Sequence, residues 1–314
     1  MRRRSLWPPS VLGRRLIRQV GASRSGSSRP LLILYYNPDW ISVPEEGPLC
    51  DGRCDLTLDR ARFNEADVVV FHIPTLSPEL RLEKMPGQRW VASSMESEVN
   101  YPRLRNADFM RWFDYTMTYR LDSDIPMPYF NVALAHELLT PPQPKTEVAP
   151  AVYIASSLVD RSKRMGYVQE LMRDIAVDSY GRSLQNRTFA EDRGRETKLE
   201  TIARYRFTLA FENSIARDYV TEKFFDPLIA GSVPVYLGAP NVADFAVGEH
   251  CFINSADFAG PRELADELQR LTRDERAYQE FLAWKTRPLN DRFLRLVDQT
   301  RGRSLCRLCE ALNR

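Results

Sequence analysis

The sequence predicts an α/β protein in which two domains face each other across a cleft. Its 314 residues, of which 43% are hydrophobic and 27% charged, suit two soluble domains better than one. Its apolar runs are short and continuous, which is typical of parallel strands covered on both faces. A proline-dense stretch at 141–150 separates one set of runs from a second. Stiff segments of this kind act as linkers, so we place the domain boundary there.

The first domain, residues 31–140, is predicted from four apolar runs. These runs are LLILYY (31–36), ADVVVFHI (66–73), QRWVASSM (88–95) and YTMTYR (115–120). The first ends at Asn37-Pro38 and the second at Pro74, and such residues stop strands. The stretches between the runs are long enough for crossover connections, so we expect one α/β unit here.

The second domain, residues 151–314, alternates strands and helices more clearly. Strands are predicted at 151–156, 176–181, 206–211 and 232–238, and helices at 161–175, 196–205, 222–230 and most of 261–285. Pro227 lies inside the third helix, so we expect a kink or a restart there. The alternation predicts βαβ units and a parallel sheet, which binds ligands at the carboxyl ends of its strands.

Residues 1–30 form a basic tail with eight arginines and no acidic residue. Apolar residues recur within it at roughly helical spacing, so one interpretation is a surface helix that binds an anionic membrane. The other interpretation is a disordered basic tail. The chain has no run of 18 apolar residues, so we predict no transmembrane helix. A net charge of +2 is too small to predict nucleic acid as a partner.

Five cysteines leave several chemistries open. Cys50 and Cys54 are spaced as C-x3-C, Cys306 and Cys309 as C-x2-C, and Cys251 stands apart. Two close pairs are compatible with a zinc site, with disulfides or with reduced thiols. No histidine neighbours them, which disfavours zinc.

The most informative stretch follows the predicted strand 206–211. Glu212 and Asn213 fall where the strand ends, and Thr221 is a good N-cap for the next helix. The start of a helix attracts phosphate, and Lys223 adds a full positive charge there. Glu222 can hold sugar hydroxyls, and Tyr219 offers another hydrogen bond, so the set suits a nucleotide sugar. A plainer interpretation is dipole compensation by Glu222 with a solvated Lys223.

The chain resembles the α-1,3/4-fucosyltransferases over residues 31–309. FENSIARDYVTEKFFDPLIAGSVPVYLGAPN (211–241) closely resembles the signature of that family. The segment 157–187 is similar to the one that precedes the signature in the family. MESEVNYP (95–102) and WFDYTMTYRLDSDIPMPY (112–129) are similar to its acceptor-domain motifs. Several motifs in the right order make the resemblance specific.

The resemblance implies an inverting transferase of the GT-B type, in glycosyltransferase family 10, with two Rossmann-like domains. Such an enzyme moves L-fucose from GDP-fucose to a hydroxyl, most simply O3, of an N-acetylglucosamine-type residue in an oligosaccharide or a lipid-linked glycan. Residues 31–140 then bind the acceptor and residues 151–314 the GDP-sugar. Glu96 matches the general base of the family, and Glu98 is the alternative. No metal or other cofactor is implied.

The same resemblance assigns the donor-binding residues. Arg164 and Lys223 match the cations that pair with the diphosphate, with Arg161 as a fallback for Arg164. The remaining matches concern the nucleotide and its sugar, and they are Asn213, Tyr219 and Glu222, with Tyr180 and Gly181 near the guanine. Other hypotheses stay open: a transferase for another nucleotide sugar, or a binding module without catalysis.

Some positions depart from the family pattern. Glu98 stands where the family motif has proline, and Ser157 where it has asparagine, so the acceptor remains open. Cys306 and Cys309 are similar to a C-terminal pair that forms disulfides in animal members of the secretory pathway. The basic tail instead favours a cytoplasmic enzyme, peripheral at the inner membrane, with the Golgi as the alternative.

Overall fold

The computed structural model describes residues 29–313, which form two α/β units on two separate sheets. The basic tail, with both of its interpretations, lies outside the described residues except for its last two positions. None of the helices between residues 29 and 313 has the length and apolar character needed to cross a bilayer.

The first sheet has six strands in the order β2-β3-β1-β4-β5-β6. They are β1 (Leu31–Tyr35), β2 (Gly47–Leu49), β3 (Cys54–Thr57), β4 (Val68–His72), β5 (Arg89–Ser94) and β6 (Tyr115–Thr118). All neighbours are parallel except β2 and β3, which form an antiparallel hairpin. Each of the four predicted runs forms a strand. The hairpin escaped prediction because its strands are short and lack an apolar run.

The second sheet has five parallel strands in the order β11-β10-β9-β7-β8. They are β7 (Ala151–Ile154), β8 (Val177–Tyr180), β9 (Phe207–Phe211), β10 (Val233–Leu237) and β11 (Ile253–Asn254). Strand β9 is fully buried between β7 and β10, which explains its continuous apolar sequence. The loop after β9 therefore begins in the middle of the sheet.

The described residues contain nine α-helices. They are α1 (Ala107–Met110), α2 (Val132–Glu137), α3 (Arg164–Leu171), α4 (Arg195–Ala203), α5 (Glu222–Ala230), α6 (Pro261–Arg273), α7 (Glu275–Glu280), α8 (Asp291–Gln299) and α9 (Ser304–Leu312). Helix α5 continues through Pro227, so the predicted restart is wrong. The α5 C terminus is capped by Gly231 in the left-handed region (φ 75°), whose N–H donates to the Pro227 carbonyl.

Two helices pack on the sheet opposite to the one that the predicted boundaries imply. Leu134 and Leu138, in and just after α2, join the core beneath α5 and α8. Leu305 and Leu308 of α9 instead pack on the first sheet with Ile33 and Val91. Residues 304–312, which the prediction placed in the domain 151–314, therefore pack against the first unit. The apolar pattern shows that a helix is amphipathic but not which sheet covers it.

Two disulfides attach α9 to the first sheet. Cys50 is bonded to Cys306, and Cys54, the first residue of β3, to Cys309. Each close pair of the sequence is thus split between two bonds. Cys251 is a buried free thiol.

Candidate active site

The loops after β5 and β9 meet where the carboxyl ends of the two sheets come together. The hydroxyl groups of Ser97 and Ser214 lie 2.6 Å apart, and both side chains are fully buried. Beside them, Asn100 Nδ2 donates to Asn213 Oδ1 at 2.9 Å. The base of the cleft is therefore a direct, desolvated contact between the two units.

Glu96 lies two residues after the end of β5, half-buried at this junction. Its backbone N–H donates to Ser94 Oγ at 3.0 Å, which fixes the turn that leaves the strand. Its Oε2 accepts a hydrogen bond of 3.1 Å from the Tyr219 hydroxyl, which belongs to the other unit. A carboxylate of the first unit is thus held against the loop that leads into α5.

Glu98 is turned to other partners. It accepts a short hydrogen bond from the Tyr119 hydroxyl. Its Oε1 lies 3.5 Å from the Arg105 guanidinium and 3.8 Å from that of Arg120. Since two arginines and a phenol occupy Glu98, Glu96 is the carboxylate with fewer partners at the junction.

The start of α5 carries a tight group of charges. Glu212 is fully buried and accepts hydrogen bonds from Thr221, at 2.8 Å from its N–H and 2.9 Å from its hydroxyl. The Lys223 ammonium lies 3.4 Å from Glu212 and 3.0 Å from Glu222. Thr221 Oγ1 also accepts from the Lys223 N–H at 3.3 Å, so Thr221 is the N-cap that the sequence predicted.

The charges at this helix start shift one another's titration. Burial alone lowers the pKa of Lys223, but Glu212 and Glu222 outweigh it and raise that pKa well above its usual value. Burial opposes ionisation of Glu222, yet Lys223 and then Lys198 of α4 bring its pKa down to about 2. Burial raises the pKa of Glu212 against the pull of Lys223. At neutral pH this end of α5 carries a fixed ammonium beside an ionised carboxylate.

Two phenols connect Glu96 to the start of α5. Tyr219 is 1% exposed, and its ring centroid lies 5.0 Å from that of Tyr119 and 6.2 Å from that of Tyr129. Burial, followed by the charges of Glu96 and of the carboxylates near α5, raises the pKa of Tyr129 and Tyr219 well above the usual range. The Tyr219 hydroxyl, which donates to Glu96, thus joins the loop before α5 to the carboxylate of the first unit.

Arg164, the first residue of α3, is buried beside this site. Its guanidinium donates to the backbone carbonyls of Phe211 at 2.9 Å and Ser157 at 2.8 Å, while Nε has no partner. Arg164 forms no ion pair within residues 29–313, and its charge lowers the pKa of nearby Lys223. The structure thus places an uncompensated positive charge below the cleft surface, and the side chain does not reach solvent.

Protein-family models match both units of the chain. The model described as "Glycosyltransferase family 10 (fucosyltransferase) C-term" matches residues 143–314. The model described as "Fucosyltransferase, N-terminal" matches residues 28–130. The chain belongs to glycosyltransferase family 10, the fucosyltransferases. This confirms the resemblance found in the sequence.

Relatives with curated names agree with this membership of family 10. The chain is 36% identical to "Alpha-(1,3)-fucosyltransferase 7" of Bos taurus over 93% of its own length and 85% of that protein. It is 31% identical to "GDP-fucose protein O-fucosyltransferase 3" of Canis lupus familiaris over 81% of the chain and 57% of the relative. A fucosyltransferase-like protein of Arabidopsis thaliana is 39% identical over 73% of the chain and 44% of the relative. The chain spans about half the length of the last two.

Solved structures titled as fucosyltransferases share the fold. A crystal structure titled as an alpha1,3-fucosyltransferase with GDP superposes with a TM-score of 0.62 over 94% of each chain, at 18% identity. Another, titled with GDP-fucose, gives 0.59 over 90% of this chain and 92% of that one, at 19% identity. The predicted fold of two Rossmann-like domains in the GT-B arrangement is confirmed.

Tyr180 and Gly181 have different surroundings in this family 10 chain. The Tyr180 ring stacks on Phe189, with centroids 4.6 Å apart, and its hydroxyl lies 3.3 Å from that of Tyr205. This side chain lies in a core cluster with Ile202 of α4 and Tyr205, and its predicted place near the guanine stays a prediction. Gly181 does lie at the carboxyl edge (φ +83°), where a Cβ would come within 2.6 Å of the Ala155 carbonyl.

Sequence reasoning missed several residues of the family 10 site. Glu212 was predicted only to stand where a strand ends. A glutamate that directly follows an apolar strand is a signal that could have identified it as a site residue. Asn100 joins Glu96 and Asn213 across the junction, and its buried Oδ1 has no partner. Lys198 of α4, 2.8 Å from Asp226, acts on Glu222 from outside the signature. Only the fold brings Lys198 and Asn100 to the site.

A cavity of about 460 Å³ opens at the carboxyl edge of the first sheet and is lined by Met95, the residue before Glu96. Methionines 95, 117 and 127 line it together with residues 41–44 and the start of α9. Within residues 29–313, no group of three or more histidine, cysteine or carboxylate side chains is placed to hold a metal ion.

Proposed function

We propose that the chain transfers L-fucose from GDP-fucose to a sugar hydroxyl with inversion at the anomeric carbon. The observation that carries this proposal is the 3.1 Å hydrogen bond from Tyr219, two residues before the N-cap of α5, to the Glu96 carboxylate of the other unit. Relatives named as fucosyltransferases and neighbours solved with GDP and GDP-fucose support the choice of donor.

In the proposed reaction Glu96 is the general base. Its carboxylate takes the proton of the acceptor hydroxyl while that oxygen forms a bond to C1 of fucose. The bond between C1 and the β-phosphate oxygen breaks, and its electron pair leaves with GDP. Attack from the face opposite to the leaving group inverts the configuration, so one carboxylate on the acceptor side is sufficient.

The start of α5 receives the departing diphosphate in this proposal. Lys223 offers a full charge, and the positive end of the α5 dipole adds to it. Arg164 adds positive potential from below, acting through space while its guanidinium remains on backbone carbonyls. Positive groups fixed before the reaction stabilise the charge that develops on GDP.

The other predicted donor ligands keep their proposed roles. Glu222 is ionised, and its side chain is 45% exposed, so it can accept hydrogen bonds from sugar hydroxyls. Asn213 accepts from Asn100, which leaves its own amide N–H groups to donate to the donor substrate. Tyr219 keeps its place among the donor ligands and also orients Glu96 through its hydroxyl. Tyr180 and Gly181 lie near the guanine in this proposal, and Gly181 lets the backbone approach the nucleotide closely.

We propose that catalysis needs no metal ion, because Lys223 and the start of α5 supply the positive charge. The aspartates of the D-S-D segment are already engaged: Asp122 pairs with Arg120 at 2.7 Å, and Asp124 accepts from Thr116 at 2.8 Å.

For the acceptor we propose O3 of an N-acetylglucosamine-type residue in an oligosaccharide or a lipid-linked glycan. Relatives named as protein O-fucosyltransferases, 31% to 36% identical, make a protein hydroxyl the second candidate. The compartment is part of the same proposal. Two disulfides favour an oxidising compartment such as the Golgi over the cytoplasmic inner membrane.

Acceptor-dependent release of GDP tests the proposal. Purified protein is incubated with GDP-fucose and a panel of glycan and protein acceptors, with and without EDTA, and products are identified by mass and linkage. We expect GDP release with a glycan acceptor, insensitive to EDTA, and loss of signal with other nucleotide sugars. Tight donor binding without turnover on any acceptor would support a binding module instead.

A further inference from the structure

The loop after β1 presents a tryptophan to solvent in an unusual backbone conformation. The Trp40 side chain is 73% exposed, although indole is a large apolar group. Its φ is 69°, a left-handed value that a bulky residue adopts only at an energetic cost. Strain of this kind persists where the surrounding structure enforces it, and it is concentrated at ligand sites.

Two neighbouring rings hold the indole without covering it. The centroid of the His72 ring lies 6.2 Å from that of Trp40 at an interplanar angle of 79°, and that of Tyr101 lies 6.5 Å away at 58°. Neither ring stacks on the indole. Trp40 is therefore positioned by its neighbours while most of its surface stays open to a ligand.

The loop that follows β5 carries both Tyr101 and Glu96. The Tyr101 N–H donates to the Ser97 carbonyl at 2.9 Å, which closes the loop that follows β5. Asn100, the neighbour of Tyr101 in this loop, places its Nδ2 3.5 Å from Glu96 Oε2, so Tyr101 and the carboxylate are close in the same loop. A molecule bound across Trp40 and Tyr101 thus lies next to Glu96.

The cavity at the carboxyl edge of the first sheet adjoins Trp40. Residues 41–44, which follow Trp40 directly, form one wall, and Met95, the neighbour of Glu96, forms another. His72 is shared between the two features, since it contacts Trp40 and lines the cavity. The Trp40 indole and the cavity are therefore adjacent, and the cavity extends to Met95, the residue before Glu96.

An exposed indole with polar neighbours suits a pyranose ring. The C–H groups on one face of such a ring form a flat apolar patch that packs on an aromatic face. Its hydroxyl groups remain at the edge, where Ser42, Tyr101 and Arg303 offer hydrogen bonds. A peptide acceptor would favour a groove with free backbone partners over a single flat ring.

We propose that Trp40 is a specificity-determining residue that binds a pyranose ring of the acceptor saccharide by stacking, next to Glu96. This inference rests on the proposed function. The inference identifies the acceptor substrate as a saccharide with at least one pyranose ring lying along the first unit. It gives Trp40 no part in donor binding or proton transfer.

Acceptor kinetics test Trp40 with matched variants. For a disaccharide of galactose and N-acetylglucosamine, Trp40→Ala should raise the acceptor KM by roughly tenfold, the size of an aromatic contact plus its buried area. Trp40→Phe should recover most of that loss. Trp112→Ala serves as the control, because Trp112 is also exposed, at 56%, but lies beyond α1. The KM for GDP-fucose should stay unchanged in all three.

Unchanged acceptor KM in Trp40→Ala would overturn the inference, and so would an equal loss of donor affinity. Transfer to a protein acceptor alone, unaffected by Trp40 variants, would also overturn it. Direct binding separates this inference from the reaction itself. The disaccharide should quench tryptophan fluorescence in the wild type and in Trp112→Phe but not in Trp40→Phe, even if no turnover occurs. No quenching in the wild type would refute the stacking site.

Discussion

Lys223 keeps its charge in a buried position because two carboxylates lie within 3.4 Å of its ammonium group. Burial alone would favour the neutral amine, and Glu212 and Glu222 reverse that preference. Predicting Lys223 and Glu222 from the sequence was possible because both stand in the first turn of an evident helix. The contribution of Glu212 was hidden, since nothing in the sequence shows that it is fully buried.

Removing the ammonium should weaken donor binding specifically. In Lys223→Ala we expect the Kd for GDP to rise roughly 10- to 100-fold, the range for losing a charged hydrogen bond. Isothermal titration calorimetry measures it. Lys84→Ala is the control, because Lys84 pairs with Asp114 in the first unit. An unchanged Kd in Lys223→Ala would remove the phosphate assignment.

Replacing the buried carboxylate should change the pH dependence of donor binding. In Glu212→Gln, burial acts on Lys223 with less opposition, so the pKa of Lys223 falls and its charge is lost at a lower pH. The Kd for GDP, measured between about pH 7 and pH 10, should therefore begin to rise at a lower pH in the variant than in the wild type. Glu147→Gln, which disrupts a distant ion pair with Arg204, should follow the wild type. Coinciding profiles for Glu212→Gln and the wild type would contradict the coupling.

At the scale of elements, the start of α5 depends on Thr221. Its hydroxyl donates to Glu212, and its oxygen accepts from the N–H and the ammonium of Lys223. The cap therefore links the end of β9 to the first turn of the helix. Thr221 was predictable as the N-cap from its residue type and position alone. Its hydrogen bond to Glu212 was not.

Thr221→Val keeps the shape and removes these hydrogen bonds. We expect a loss of about 1–2 kcal/mol in unfolding free energy, measured by urea denaturation, together with weaker GDP binding. Asn290→Ala provides the comparison, because it removes the N-cap of α8, where Asn290 Oδ1 accepts from Arg292 N–H at 2.8 Å. That variant should lose similar stability with the Kd for GDP intact. If both variants bind GDP equally well, the cap does not position Lys223.

The strands at both units were predictable because buried parallel strands have continuous apolar runs. The sheet on which α2 and α9 each pack was not predictable, since an apolar helix face fits either sheet. Tyr180 illustrates the same limit at a site. Its position at the end of β8 was visible in the sequence, but in a strand the side chain points to one face, and here it is the face beneath α4.

Across the whole molecule, two features tie the two units together. They are the disulfides and the packing of α2 and α9, each on the sheet of the other unit. Peptide mapping without reduction should find Cys50 linked to Cys306 and Cys54 to Cys309. Removing one bond, as in Cys50→Ser with Cys306→Ser, should lower the unfolding free energy by about 2–4 kcal/mol. A bond between Cys306 and Cys309, or bound zinc in their place, would contradict the arrangement of α9.

The central claim is that one unit supplies the base and the other holds the donor at a single site. Comparing Glu96→Gln with Glu98→Gln by GDP-fucose calorimetry and by fucose transfer to a glycan acceptor tests it most directly. We predict that Glu96→Gln binds GDP-fucose with wild-type affinity and loses turnover by about 10²- to 10⁴-fold, while Glu98→Gln keeps most of its turnover. Wild-type turnover in Glu96→Gln would contradict the claim.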